Sequence, residues 1–160
     1  MKTQLKLMAL VFAALSVVTI GFTVIGESVN VCMEGCEYRS IQKAIDQASQ
    51  GDTVILLDEG YSEELTVNKG ITLRGAGKDA STIRGKIVVG PTDTQVKMLG
   101  FRLMDGPIQL KGKCNLRLID LFLQGVDVML SGASYLDSST KCNSQRFRSS
   151  IVCFMWCSII

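Results

Sequence analysis

The sequence predicts an all-β protein, a right-handed parallel β-helix of about 3–4 coils with a short N-terminal capping α-helix. Three observations predict it. Short apolar strands follow one another without intervening helices. Two segments align at a constant offset of 20 residues, and one amphipathic helix precedes the first strand. A chain of 160 residues is long enough for one such domain together with flanking segments.

The repeat is clearest in the middle of the chain. Residues 96–112 align with residues 116–132 at a constant offset of 20 over 17 positions. In this alignment apolar residues align with apolar residues, and Lys97 aligns with Arg117 between two apolar positions. Each repeat is one coil, and stacking coils about 4.8 Å apart buries apolar faces that a single coil leaves exposed. The alternative fold, an antiparallel β-sandwich, predicts hairpin turns about every 8–12 residues but no constant offset.

The first 26 residues have the composition of a targeting segment. Lys2 and Lys6 precede an uncharged run of 19 residues, residues 7–25. Such a run is typical of a secretory signal peptide, here with cleavage before Glu27, and its length also permits an uncleaved signal anchor. We therefore expect a secreted, periplasmic or cell-surface protein that contacts a membrane only through this segment, if the segment is retained.

A lead-in and a helix separate this segment from the strands. In the lead-in, residues 27–39, Cys32 and Cys36 stand four residues apart, and export permits a disulfide between them. Residues 40–51 predict the capping helix, because Ser40 is a suitable N-cap and apolar residues recur at helical spacing. A metal site is not expected, since the chain has no histidine and no Cys-x-x-Cys pair.

The coils are expected in residues 52–136, where short apolar strands alternate with Gly, Asn, Asp and Lys. The periodicity ends after Asp137, and residues 137–160 are expected to be irregular. We interpret this tail as non-native sequence that follows an interrupted reading frame, so the chain is expected to be a fragment. Because nothing after Gly132 is typical of a C-terminal cap, we expect self-association through the open last coil.

Short motifs in the first coils carry a family resemblance. They are residues 38–48, 51–54, 60–64, 67–77 and 81–85. Together they resemble the N-terminal part of pectin-lyase-like right-handed β-helix proteins. Pectinesterases share this opening, as do nonenzymatic repeat proteins related to the periplasmic copper-site maturation protein of nitrous-oxide reductase. The resemblance extends over about residues 36–132. It implies the fold but not the activity, because one fold hosts many functions.

The resemblance also implies where an enzyme of this family would hold its catalytic groups. Pectinesterases are understood to use two Asp carboxylates, with Gln and Arg, in central coils. The weak candidates here are Asp105 and Asp127, and neither lies in the motifs that carry the catalytic pair. The pattern favours solvated corner residues over a catalytic site. No cofactor is expected.

Basic residues at strand and corner positions are expected to face outward: Arg74, Arg84, Lys86, Lys97, Arg102, Lys111, Lys113 and Arg117. The chain has 17 basic and 15 acidic residues and no basic stripe interleaved with aromatics, so nucleic acid is not an expected partner. A flat sheet face with repeated polar groups is able to bind extended polysaccharide. The alternative is that these residues only keep the surface soluble.

Two functions follow from these features. The first is an exported, noncatalytic β-helix repeat protein that contacts carbohydrate or mediates adhesion at the cell surface. The alternative is a remnant of a pectinesterase-like, carbohydrate-active enzyme that lacks its catalytic coils.

Overall fold

The structure, a computed structural model, describes residues 26–131 and 134–149 and confirms the predicted fold class. Every strand pair in these residues is parallel, and the strands wind into a β-solenoid of about four turns. The strands are β1 (Ser28–Val31), β2 (Thr53–Leu56), β3 (Gly60–Ser62), β4 (Leu65–Val67), β5 (Thr72–Gly75), β6 (Thr82–Arg84), β7 (Ile87–Val89), β8 (Gln95–Leu99), β9 (Arg102–Met104), β10 (Ile108–Lys111), β11 (Cys114–Ser131) and β12 (Ser134–Ser149); the helix is α1 (Ile41–Gln47).

Strands at corresponding positions of successive turns form three stacks. Stack 1 contains β1, β2, β5, β8 and the first part of β11. The prediction that the helix precedes the first strand is wrong, because β1 lies in the lead-in, before α1, and pairs with β2. Stack 2 contains β3, β6, β9 and the middle of β11, and stack 3 contains β4, β7, β10 and the last part of β11. The predicted offset of 20 residues is the register between the two aligned turns, where Lys97 pairs with Arg117 and Gln109 pairs with Met129.

The core consists of ladders of inward-facing residues inside the three stacks. Alternate residues of each strand are buried, because successive side chains of a strand point to opposite faces. In stack 2, for example, Tyr61, Ile83, Leu103 and Leu123 follow one another through four turns and are each at most 2% exposed. Tyr61 is the first residue of this ladder. Its buried hydroxyl donates to the Val31 carbonyl oxygen at 2.8 Å, and burial raises the pKa of this phenol.

Glycine is required at the corner between stacks 2 and 3. Gly85 has a φ of 138°, in the region that L side chains rarely adopt. A Cβ on Gly85 would overlap the carbonyl oxygen of Glu63, and a Cβ on Gly106 would overlap that of Gly85. These corners of successive turns therefore stack closely only because two of them carry no side chain.

The helix α1 covers the first edge of stack 3. Its residues Ile41, Ala44 and Ile45 are buried against the end of the core. The side-chain amide of Gln42 pairs with β4 in the manner of a neighbouring strand. Its Nε2 donates to the Thr66 carbonyl at 3.2 Å, and its Oε1 accepts from the Thr66 amide at 2.7 Å. The capping helix expected from the sequence thus satisfies an edge that would otherwise be open.

The N-terminus of α1 is held by Glu63, which lies in the corner between β3 and β4. The Glu63 carboxylate accepts hydrogen bonds from the Ser40 hydroxyl at 2.8 Å, the Ile41 amide at 3.1 Å and the Gln42 amide at 3.2 Å. A glutamate in a surface corner would ordinarily face solvent or a basic group. Instead Glu63 compensates the amide donors that a helix N-terminus leaves unpaired.

The C-terminal end of α1 is shorter than predicted, because other groups take its hydrogen bonds. The helix ends at Gln47, whereas the sequence predicts residues 40–51. The Lys69 ammonium donates to the carbonyls of Asp46 at 3.0 Å and Ala48 at 2.8 Å. This cation satisfies the last carbonyls and complements the helix dipole.

The end of the described chain differs from the prediction of an irregular segment after residue 136. The strand β12 continues to Ser149 and pairs in parallel with β11. Backbone pairing with an exposed edge does not depend on side-chain identity, which explains why no apolar repeat marks it. Residues 138, 145 and 149 of β12 are polar, and they are in register with the buried Leu118, Val126 and Leu130 of β11. Self-association through this end stays a prediction.

The remaining predictions for the two ends of the chain concern residues that the structure does not describe. Residues 1–25, which make up nearly all of the predicted targeting segment, and residues 150–160 of the tail lie outside the described residues. Within the described part of the chain, no helix has the length and apolar character needed to cross a membrane.

Candidate functional site

The two predicted carboxylates lie on the surface near one corner of the solenoid. Asp105 is exposed in the corner between β9 and β10, with a φ of 57°, and Asp127 is exposed within β11. Asp105 lies beside Gly125 of the next turn, two residues before Asp127. Neither carboxylate forms a hydrogen bond or an ion pair with a described side chain. The structure thus places both carboxylates on the surface, without a hydrogen-bonded base or positioning group among the described residues.

The predicted disulfide is confirmed. Cys32 and Cys36 are bonded, with a Cα–Cα distance of 5.4 Å. The Cys32 amide donates to the Tyr38 carbonyl at 3.0 Å, and Val31 forms an isolated parallel bridge with Tyr38. The bond therefore closes a small loop that brings the chain back against the end of β1 before α1 begins. Among the described residues, no group of three or more His, Cys, Asp and Glu side chains could hold a metal ion.

The basic residues that the sequence places outside do lie on the surface, half-buried or exposed, but on different faces. Arg84 and Arg102 belong to stack 2, and Lys111 belongs to stack 3. The outer face of stack 1 carries a cation on each of three consecutive turns: Arg74, Lys97 and Arg117.

The outer face of stack 1 is built from regular columns of residues in register. One column contains Ser28, Thr53, Thr72, Lys97, Arg117 and Asp137. The adjacent column contains Asn30, Ile55, Arg74, Leu99 and Ile119. Columns repeat at about 4.8 Å per turn, the spacing of neighbouring strands. The face presents hydroxyl and cationic groups beside half-buried aliphatic ones.

A third column adds amide and aromatic groups to this face. Gln95, Asn115 and Tyr135 are in register, and the Gln95 amide donates to the Asn115 side-chain oxygen at 3.3 Å. Tyr135 is 50% exposed. The only acidic residue among the described positions of the three columns is Asp137, which pairs with Arg117 at 3.2 Å. This column of amide and aromatic residues was not predicted from the sequence, although applying the offset of 20 from Gln95 to Asn115 and on to Tyr135 would have identified it.

A second polar cluster lies on the outer face of stack 2, and its charges are already engaged. The Arg102 guanidinium lies 4.9 Å from the centroid of the Phe122 ring and donates to Asp79 at 3.0 Å. Lys78 also pairs with Asp79. Its hydrogen bond, and then that of Arg102, lowers the pKa of the Asp79 carboxyl. This cluster fastens the loop before β6 to the following turns and leaves little cationic surface for a ligand.

Comparisons with protein-family models, curated proteins and solved structures found no match for this chain. The parallel solenoid supports the fold that the resemblance implies. Membership of the pectin-lyase-like proteins stays a prediction.

Proposed function

We propose that this protein is an exported, noncatalytic β-solenoid that binds an extended acidic polysaccharide on the outer face of stack 1. The observation that carries the proposal is the set of cations on three consecutive turns, Arg74, Lys97 and Arg117, on the outer face of stack 1. A polymer of repeated anionic units meets such a face at regular intervals.

The surroundings of these cations support a carbohydrate over a compact anion. Thr53 and Thr72 offer hydroxyl groups, and Gln95 and Asn115 offer amides, beside the half-buried aliphatic side chains of the neighbouring column. Sugars present hydroxyl groups and apolar C–H faces together. Lys97 and Arg74 have no ion-pair partner among the described residues, so they are available to carboxylate or sulfate groups.

Binding of polygalacturonate to the full chain tests this proposal. We expect the double variant Arg74→Gln/Lys97→Gln to bind roughly tenfold more weakly, about 1.4 kcal/mol for two surface charge contacts. The matched control is Arg84→Gln/Lys111→Gln, which removes the same charge from exposed positions on stacks 2 and 3 and should bind within about twofold of the parent. Isothermal titration calorimetry at two salt concentrations measures both. Equal losses in the two double variants would show that only net charge matters.

The enzymatic alternative has its own assay. We expect no methanol release when the full chain is incubated with methylated pectin, because Asp105 and Asp127 lie exposed and neither is hydrogen-bonded to a described base or positioning group. Activity that disappears in Asp105→Ala or Asp127→Ala would replace the proposal with a pectinesterase-like one.

A further inference from the structure

A groove of about 450 Å³ lies at the capped end of the solenoid, along the free edge of β1. One side is formed by Ser28, Val29 and Asn30 of β1. The end of α1 and the disulfide-bonded lead-in around Cys36 and Tyr38 form the other sides. The groove lies at the end of stack 1 where Ser28 and Asn30 begin two columns of the outer face, and its lining includes none of the cations Arg74, Lys97 and Arg117.

The edge of β1 presents unpaired backbone groups to this groove. The carbonyls of Glu27 and Val31 accept from the amides of Thr53 and Leu57, so these alternate residues face β2. In a parallel ladder the intervening residues, Ser28 and Asn30, direct their N–H and C=O groups the opposite way. No described residue pairs with them there. Cys32, the next residue of this set, already donates its amide to Tyr38.

The open edge of stack 1 contrasts with the covered edge of stack 3. At stack 3, the amide of Gln42 pairs with Thr66, and α1 lies over the strand. At stack 1, the lead-in returns to the sheet only at Tyr38 and leaves the first part of β1 uncovered. An uncovered strand edge beside a groove is able to accept an added strand from another chain.

The charge of the groove indicates which chain would fit. Its lining includes the carboxylates of Glu27, Glu37 and Asp52 and no Lys or Arg. Asp52 is buried and engaged, because it accepts from the amides of Glu27 at 2.8 Å and Ser49 at 2.7 Å. Glu27 and Glu37 are exposed. The hydrogen bond to Glu37 raises the pKa of Tyr38, so this phenol adds a neutral hydroxyl to the wall.

We propose that this groove binds an extended peptide segment rich in Lys or Arg, which adds a strand to the free edge of β1. The backbone groups of Ser28 and Asn30 hold the main chain of the peptide, and the carboxylates of Glu27 and Glu37 select its basic side chains. Peptide binding uses the backbone of Ser28 and Asn30 and the carboxylates of Glu27 and Glu37, whereas polysaccharide binding uses Arg74, Lys97 and Arg117, so either can fail without the other.

Fluorescence anisotropy with a labelled peptide of alternating Lys and Thr tests the proposal on the full chain. Asn30→Pro removes an N–H that faces the groove and leaves the bonds to β2 in place, so it should weaken binding about tenfold. Glu37→Gln should weaken it about threefold. The matched control Asp93→Asn, at an exposed corner far along the chain, should leave binding unchanged.

Two further measurements keep the test decisive. If Asn30→Pro fails to fold, the parent protein should lose binding to a peptide whose alternate backbone amides are N-methylated. A peptide with Glu in place of Lys should not bind. Equal binding of the Glu peptide, unchanged binding by the variants, or a dimer of the chain whose formation excludes the peptide would each overturn the proposal.

Discussion

Replacing Leu103 with alanine is expected to destabilise the solenoid by about 2–5 kcal/mol. Leu103 is fully buried in the middle of the stack 2 ladder, between Ile83 and Leu123 of the adjacent turns. The substitution removes apolar contacts and leaves a cavity that stacked backbones cannot close, because their spacing is set by hydrogen bonds. Equilibrium urea unfolding of the full chain measures the loss, which is a large part of the stability of a typical domain.

The matched control for this variant is Leu57→Ala. Leu57 is 49% exposed at the corner that follows β2, so its truncation should change the free energy of unfolding by no more than about 0.5 kcal/mol. Similar destabilisation by Leu103→Ala and Leu57→Ala would contradict the assignment of Leu103 to the inward ladder.

Replacing Glu63 with alanine is expected to cost about 1–3 kcal/mol and to loosen the cap. The Glu63 carboxylate accepts three hydrogen bonds from the first residues of α1, and the variant leaves those donors without their partner. Without a well-held helix, the edge of β4 loses the cover that Gln42 provides. Urea unfolding should therefore show lower stability, and amide hydrogen exchange should become faster in α1 and β4.

The neighbouring acidic residue provides a control with the same change of charge. Glu64 is exposed and makes no hydrogen bond to a described residue, so Glu64→Ala should leave both stability and exchange in α1 nearly unchanged. An equal effect of the two alanine variants would assign the loss to net charge rather than to helix capping.

Much of the fold could be predicted because the sequence repeats with the period of the structure. Lys97 and Arg117 align at the offset of 20 in the sequence and pair directly in the sheet. In a solenoid, similar residues occupy the same position in successive turns. An apolar position therefore recurs once per turn, and an outward basic position recurs next to it. The helical spacing of Ile41, Ala44 and Ile45 likewise predicted the buried face of α1.

The features that could not be predicted depend on contacts between residues far apart in the chain. The sequence around Glu63 does not indicate that its carboxylate accepts hydrogen bonds from the start of a helix 21–23 residues earlier. The end of the helix was also mispredicted, because the carbonyls of Asp46 and Ala48 accept hydrogen bonds from Lys69, which follows them by 23 and 21 residues. The strand β12 was missed for a different reason. Its backbone extends an existing edge, and the polar residues in register with the buried Leu118 and Val126 conceal the repeat.

The candidate surfaces were predictable to different degrees. Arg74, Lys97 and Arg117 were identified as outward residues from the alternation of the strands, but their grouping on one face requires the register of the sheet. The peptide site in the groove depends on which backbone amides of β1 remain unpaired. The side-chain types of Ser28 and Asn30 do not indicate that their amides are the unpaired ones. Both surfaces nevertheless depend on the same parallel register.

Backbone NMR of the full chain tests the parallel register most directly. Parallel stacking of the turns predicts interstrand nuclear Overhauser effects of the parallel type between Lys97 and Arg117, between Arg102 and Phe122, and between Gln109 and Met129, each pair 20 residues apart. Strong Hα–Hα effects between strands that are neighbours in sequence would instead indicate antiparallel hairpins. That result would contradict the solenoid and both of the binding surfaces proposed on it.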